Sequence, residues 1–213
     1  MNAKVLFAAC TAVIGTAAMA NATLPTYTLN WLVNGQESVV VNEGEVVLVT
    51  GIASWLPAAH GLGSNQMRVE LANADVTDGL EYSEAAGLGR NALLRMMPQA
   101  FTDGVIVGGR NITGVGNTVI DAAQMPQMMN PLFTGANPIE VFRFNFIAGD
   151  AGRTIEIDSP ITNVNLFANA MGVPTAPYII TTDGASIQIV PTPGSMALLG
   201  LGGAACLRRR RRN

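Results

Sequence analysis

The residues with the chemistry to act on a ligand fall in three places. Between positions 70 and 84 stand five carboxylates, Glu70, Asp75, Asp78, Glu81 and Glu84, and a pair of carboxyl groups is what glycoside cleavage uses, one as acid and the other as base or nucleophile. Within that run, Asp75-Val76-Thr77-Asp78-Gly79 offers oxygen ligands of the kind calcium takes, although the alternating oxygens of a calcium loop are incomplete. His60 is the single histidine. With Ser54 or Ser64 it could form a base and nucleophile pair, but no nucleophile-elbow motif surrounds either serine. Methionine is concentrated in Met96-Met97-Pro98 and in Met125-Pro126-Gln127-Met128-Met129. These five thioethers suit a soft ion such as Cu(I), and they suit equally a core that needs flexible filling.

The background of charge weakens the first of these readings. Between Thr23 and Val190 six arginines face all fifteen acids of the chain, a net of −9, so acidic clusters arise without a shared task and solvated surface charge is the leading interpretation. The same balance excludes nucleic acid as a partner, because a phosphate-tracking surface needs clustered Lys and Arg. The glycine pairs Gly61/Gly63, Gly87/Gly89 and Gly114/Gly116 lack the strand, spacing and helix of a phosphate loop and read as turns. No catalytic residue, metal ligand or cofactor is assigned.

The elements that would carry these residues are mostly strands. Tyr27, Leu29, Trp31 and Val33 alternate on one face, as do Val47, Val49 and Gly51, then Met67, Val69 and Leu71. In the run from Ile139 to Ile147, Phe142, Phe144 and Phe146 point one way while Val141, Arg143, Asn145 and Ile147 point the other. Gly149 to Gly152 reads as the loop of a hairpin to the strand from Arg153, and Asp183-Gly184 as the turn of a second hairpin. Helical pattern is confined to Arg90–Met97, which places Leu93, Met96 and Met97 together, and more weakly to Ile120–Met125. Short strands with a turn signal every ten residues or so predict an antiparallel β-sandwich with one or two short helices. Cys10 and Cys206 both lie in the terminal segments, so no disulfide framework supports the domain.

Two stretches, residues 39–49 and 142–157, resemble the cohesin-like and carbohydrate-module sandwiches of the bacterial exterior. That Ig-like resemblance bears on fold alone.

The termini carry an address. Lys4, an apolar run from Val5 to Met19 and the small residues Ala20 and Ala22 form a secretory signal peptide over 1–22. The exported domain spans 23–189. From Val190 the chain reads Pro191-Thr192-Pro193-Gly194, then twelve apolar residues from Met196 to Leu207, then Arg208, Arg209, Arg210, Arg211 and Arg212. At about 1.5 Å per residue the apolar run spans about 18 Å, short of a hydrocarbon core of about 30 Å, which suits a brief anchor. The arginines stop translocation and stay cytoplasmic. Pro191 and Pro193 fix φ and lack an N–H, so they end the preceding strand and leave an extended segment for an enzyme to grip.

This arrangement over 190–213 resembles the PEP-CTERM sorting signal of exosortase substrates, with Thr192 where that family usually has glutamate. The resemblance implies removal of the hydrophobic tail by a membrane-embedded exosortase, after signal peptidase has acted at the other end. It implies transient residence in the inner membrane, then delivery to the cell surface or an exopolysaccharide matrix. That resemblance says nothing of the domain's own activity; with no catalytic signature in the domain, the expected protein is a non-enzymatic structural or binding module associated with polysaccharide. The alternatives are a secreted carbohydrate-active enzyme using the carboxylates and a Met-dependent copper-binding protein. Terminal sequencing of exported material should find Thr23 at the mature N-terminus, and retention of Met1 would refute the leader.

Overall fold

The computed structural model describes residues 26–56, 59–96, 120–175 and 178–192. The 1–22 leader and everything after Thr192, including Pro193, Gly194 and Arg208 to Arg212, lie outside the described residues, as do Met97 and the pair Gly114/Gly116.

The alternating runs become strands. In β1 (Thr26–Val33) Tyr27, Leu29, Trp31 and Val33 are wholly buried while their neighbours are half-exposed. β1 pairs antiparallel with β3 (Val46–Leu56), which pairs in turn with β9 (Ile139–Ile147). The register sets Trp31, Gly51 and Phe142 in one row across three strands. A β-carbon at Gly51 would stand 2.9 Å from the Trp31 ring. The missing side chain is therefore the seat of the indole, whose other contacts include Phe144 edge-on at 6.3 Å.

Opposite Gly51 and Ile52 the register slips: Phe142 faces Gly51 but Glu140 faces Ile52, leaving Val141 as the extra residue of a bulge. Val141 is for that reason buried along with Phe142, which corrects the simple alternation expected there. β6 (Gly79–Glu81) and β7 (Gly89–Arg90) both pair with β9, and β12 (Ile179–Asp183) runs parallel to β1 at the far edge.

The opposing layer has two parts. One orders β2 (Ser38–Asn42), β13 (Ala185–Val190), β10 (Arg153–Asp158) and β5 (Glu70–Ala72). The other orders β11 (Ile161–Phe167), β4 (Gly61–Met67) and β8 (Ile120–Ala123). β4 leads into β5 and β10 into β11 through short breaks, so the two parts form one ribbon bent near Arg68 and Ser159. Met67, Val69 and Leu71 stay buried through the bend, and Ser159 Oγ donates to the Arg68 carbonyl at 2.7 Å. One apolar cluster joins both layers, with Trp31 and Phe144 from the first and Leu62, Met67, Ile155 and Ile187 from the second. The domain is a β-sandwich.

Several local expectations change. The Gly149–Gly152 turn does not close a hairpin, because β9 belongs to the first layer and β10 to the second. Asp183-Gly184 likewise carries the chain from β12 to β13 across the sandwich. The two crossings β1 to β2 and β12 to β13 run side by side, giving parallel pairs in both layers, β1 with β12 and β2 with β13. Among the described residues there is no α-helix. Arg90–Met97 contains a single 3₁₀ turn, Ala92–Leu94, and Ile120–Met125 supplies strand β8. Gly61 and Gly63 lie within β4, where β-carbons would reach the rings of Phe133 and Phe167 at 2.5 and 2.8 Å.

The Phe142, Phe144 and Phe146 face is entirely buried. Truncating Phe144 removes its burial and leaves a cavity beside Trp31, so Phe144→Ala should lower the unfolding free energy by about 3 to 5 kcal/mol in chemical denaturation. A loss below about 1 kcal/mol would place that ring outside the core.

Candidate functional site

The five carboxylates do not form one group, and three of them, Glu70, Glu81 and Glu84, have separate partners. Glu70 pairs with Arg68 at 2.8 Å, and Glu84 holds Arg90 at 2.7 Å with Arg95 at 3.7 Å. Glu81 accepts from the Asn145 amide at 3.1 Å.

Asp75 and Asp78 do converge, but on a guanidinium. Arg153 gives Nη1 to Asp78 Oδ2 at 2.8 Å and Nη2 to Asp78 Oδ1 at 3.0 Å, a bidentate pair. Its remaining donors go to the Asp150 carbonyl, the Asn73 carbonyl and Thr77 Oγ1. Asp78 also accepts from the Gly149 and Asp75 amides, and its side chain is fully buried. The loop that offered oxygens to calcium thus holds an internal cation. Among the described residues no group of three His, Cys, Asp or Glu is placed to bind a metal.

Hydrogen bonds from the Thr77 hydroxyl and amide, with Arg153 alongside, hold the Asp75 carboxyl below its ordinary range. The Asp78 partnership pushes Arg153 up. These features make a structural lock.

His60 also has a structural place. Its Nε2 lies 2.8 Å from Gln127 Oε1 and its ring stacks on Phe133 at 5.1 Å. Ser54 and Ser64 sit within β3 and β4, and the imidazole contacts neither hydroxyl in these pairings.

The methionines give the least expected result. Gln124 is buried, with its amide donating to the Leu62 and Thr134 carbonyls and accepting from the Thr134 amide. That anchor pins both ends of the 124–134 loop to β4, and the segment between is turned outward, including the 3₁₀ turn Gln127–Met129. Across from it, Asn91 caps the Ala92–Leu94 turn by accepting from the Leu93 amide, and Leu94 is buried beneath it. With Leu94 inward, Leu93 and Met96 face out.

Between the two lies a cleft of about 220 Å³ lined chiefly by Leu93, Arg95, Met96, Met125, Met129 and Leu132. Met96 and Met125 are about two-fifths exposed, Met128 and Met129 about seven-tenths. The filling of a core is thereby corrected for these residues; Met67 alone among the described methionines is buried. The sequence signalled the two stretches, but their meeting across Gln124 and Asn91 depends on contacts far apart in the chain.

At the C-terminal motif, β13 keeps its pairing through Val190, opposite Asn42. Pro191 and Thr192 follow at once and are exposed. Thr192 Oγ1 donates to the Glu43 carbonyl at 3.4 Å. Ala20 and Ala22 lie outside the described residues. Among the described residues no helix is long and apolar enough to cross a membrane.

No protein-family model matches the chain, and no curated protein matches it. Solved structures of similar chain course include CaCohA2 from Clostridium acetobutylicum, at 12% identity over 76% of this chain and 91% of that one with a TM-score of 0.48. The seventh ScaB type I cohesin from Pseudobacteroides cellulosolvens is similar at 10% identity over 80% and 94%, TM-score 0.49. A type III cohesin module of the ScaE scaffoldin from Ruminococcus flavefaciens stands at 12% over 79% and 89%, TM-score 0.42. The likeness is one of chain course, and neither ligand nor activity follows from it.

The Arg153 lock has measurable consequences. Arg153→Met strands the buried Asp78 carboxylate and should cost about 3 to 5 kcal/mol. Because the folded-state pKa of Asp75 is depressed, its contribution is full above the unfolded value and is lost as pH falls through the folded one. Stability should therefore decline below about pH 4, and Thr77→Val, which removes the hydroxyl bonded to Asp75, should flatten that limb. An unchanged acid limb in Thr77→Val would remove Asp75 from the account.

Proposed function

We propose that this chain is an exported, non-enzymatic module that is processed at its C-terminus by an exosortase-like enzyme and takes its place at the cell surface or in an exopolysaccharide matrix. The observation that supports this reading most directly is the position of Pro191 and Thr192 beside the last rung of β13. Pairing of β13 persists to Val190 and the next two residues, Pro191 and Thr192, are exposed. A processing enzyme needs an exposed segment to grip, and Pro191 and Thr192 are both exposed, with Thr192 Oγ1 resting on the Glu43 carbonyl. Pro191 lacks the N–H that a further rung after Val190 would use.

The non-enzymatic reading is supported by the fate of the acids, each tied to an arginine or an amide rather than facing another carboxylate across a cleft. Attachment to polysaccharide would come from delivery to the matrix. Both tryptophans, the rings best suited to stacking on sugars, are buried in the core.

The test is made in the native host. Replacing Pro191 and Pro193 together by alanine should leave full-length precursor in the inner membrane, whereas wild-type surface material should lack any peptide containing Leu207 and Arg208. If mass spectrometry finds that peptide in the main mature form, the segment is a permanent anchor and the sorting reading falls.

A further inference from the structure

We propose that the cleft between the Ala92–Leu94 turn and the 124–134 loop is a binding site for a soft monovalent cation, Cu(I) or its analogue Ag(I), held by the thioethers of Met96, Met125 and Met129. Three sulfur-bearing side chains from two segments far apart in the chain, Met96 from one and Met125 and Met129 from the other, line one cleft of about 220 Å³. Leucine would fill such a surface as well as methionine does, and what methionine adds is a polarizable sulfur with a lone pair to donate. All three residues keep a large part of their surface open to solvent, so an ion can reach them without unfolding.

The donor set selects the ion. Among the described residues no carboxylate, imidazole or thiolate lines the cleft, and the Asn130 side-chain oxygen accepts from the Leu132 amide, a poor set for calcium, magnesium or zinc. Neutral thioethers favour a soft ion of low charge. Arg95, the cation in the described lining, is already committed: its Nε donates to the Arg90 carbonyl at 2.9 Å and stands 3.7 Å from Glu84. The surrounding domain carries a net charge of −9, so its field draws a cation in. The site is also held in place. Asn91, Gln124 and the backbone bond from Met96 N to Ala123 O at 3.1 Å fix the stations on which the three methionines stand.

The test follows the methionine methyl groups by NMR in the full chain carrying Cys10→Ser and Cys206→Ser, so that no thiolate competes, as Ag(I) is added in chloride-free buffer. The Met96, Met125 and Met129 methyls should shift together and saturate at about one equivalent, while that of buried Met67 stays still. Met125→Ile or Met129→Ile should weaken binding about tenfold or more and leave the remaining spectrum folded. Cu(I) added without oxygen should reproduce the shifts, with X-ray absorption reporting sulfur neighbours. Unmoved methyls, binding indifferent to both variants, or a nitrogen-dominated shell centred on His60 would each overturn the proposal. So would methyls that ignore Ag(I) and respond instead to an apolar dye such as anilinonaphthalene sulfonate, which would make the cleft a docking groove. None of these outcomes touches C-terminal processing, which is read from a different part of the chain.

Discussion

Two of the crossings between the layers of the sandwich meet at one ion pair, in which the Asp78 carboxylate is buried and the Arg153 guanidinium is partly exposed. Arg153 opens β10 in the second layer, while Asp78 immediately precedes β6 in the first. Their bidentate contact therefore ties the β5 to β6 crossing to the β9 to β10 crossing. Such a pair gains from low surrounding dielectric only when its remaining donors and acceptors are also met. Here the guanidinium is met by the Asp150 and Asn73 carbonyls and Thr77, and the carboxylate by two amides. The lock explains why an acid-rich loop on an acid-rich domain does not repel itself apart.

Alternation made the strands legible because a side chain's face is decided by its immediate neighbours. Tyr27 to Val33 and Phe142 to Phe146 could be placed on buried faces from spacing alone. Partnership was not legible, because a turn sequence states that the chain reverses and says nothing about the layer it enters. Gly149–Gly152 and Asp183-Gly184 both look like hairpin turns and both cross the sandwich. Gly61 and Gly63 misled for a related reason: each is glycine because a phenylalanine ring remote in sequence lies where a β-carbon would project. The bulge at Val141 shifts which residues face inward, and its cause is the pairing with Gly51 and Ile52 on another strand.

The candidate site shows the same division. Methionine enrichment could be seen in the composition, but burial decides whether a thioether fills a core or faces a ligand, and burial here is set by Leu94 and Gln124. Each takes the inward position in its segment and leaves its methionine neighbours outside. The carboxylates went the opposite way. They were conspicuous as a cluster, and in the fold Glu70 and Glu84 pair with arginines close by in sequence while Asp75 and Asp78 converge on Arg153, which sequence distance had hidden.

The position of β13 has a mechanical consequence. It is the last strand among the described residues, yet it lies inside its sheet, parallel to β2 on one side and antiparallel to β10 on the other. A load applied at Pro191 acts along the strand axis, so the rungs on both flanks are stretched in shear together rather than opened one after another. With β1 and β12 joined in the same parallel sense in the facing layer, the first and last described strands are both laced into the sandwich, and a pull at Pro191 is resisted by two rows of backbone bonds at once.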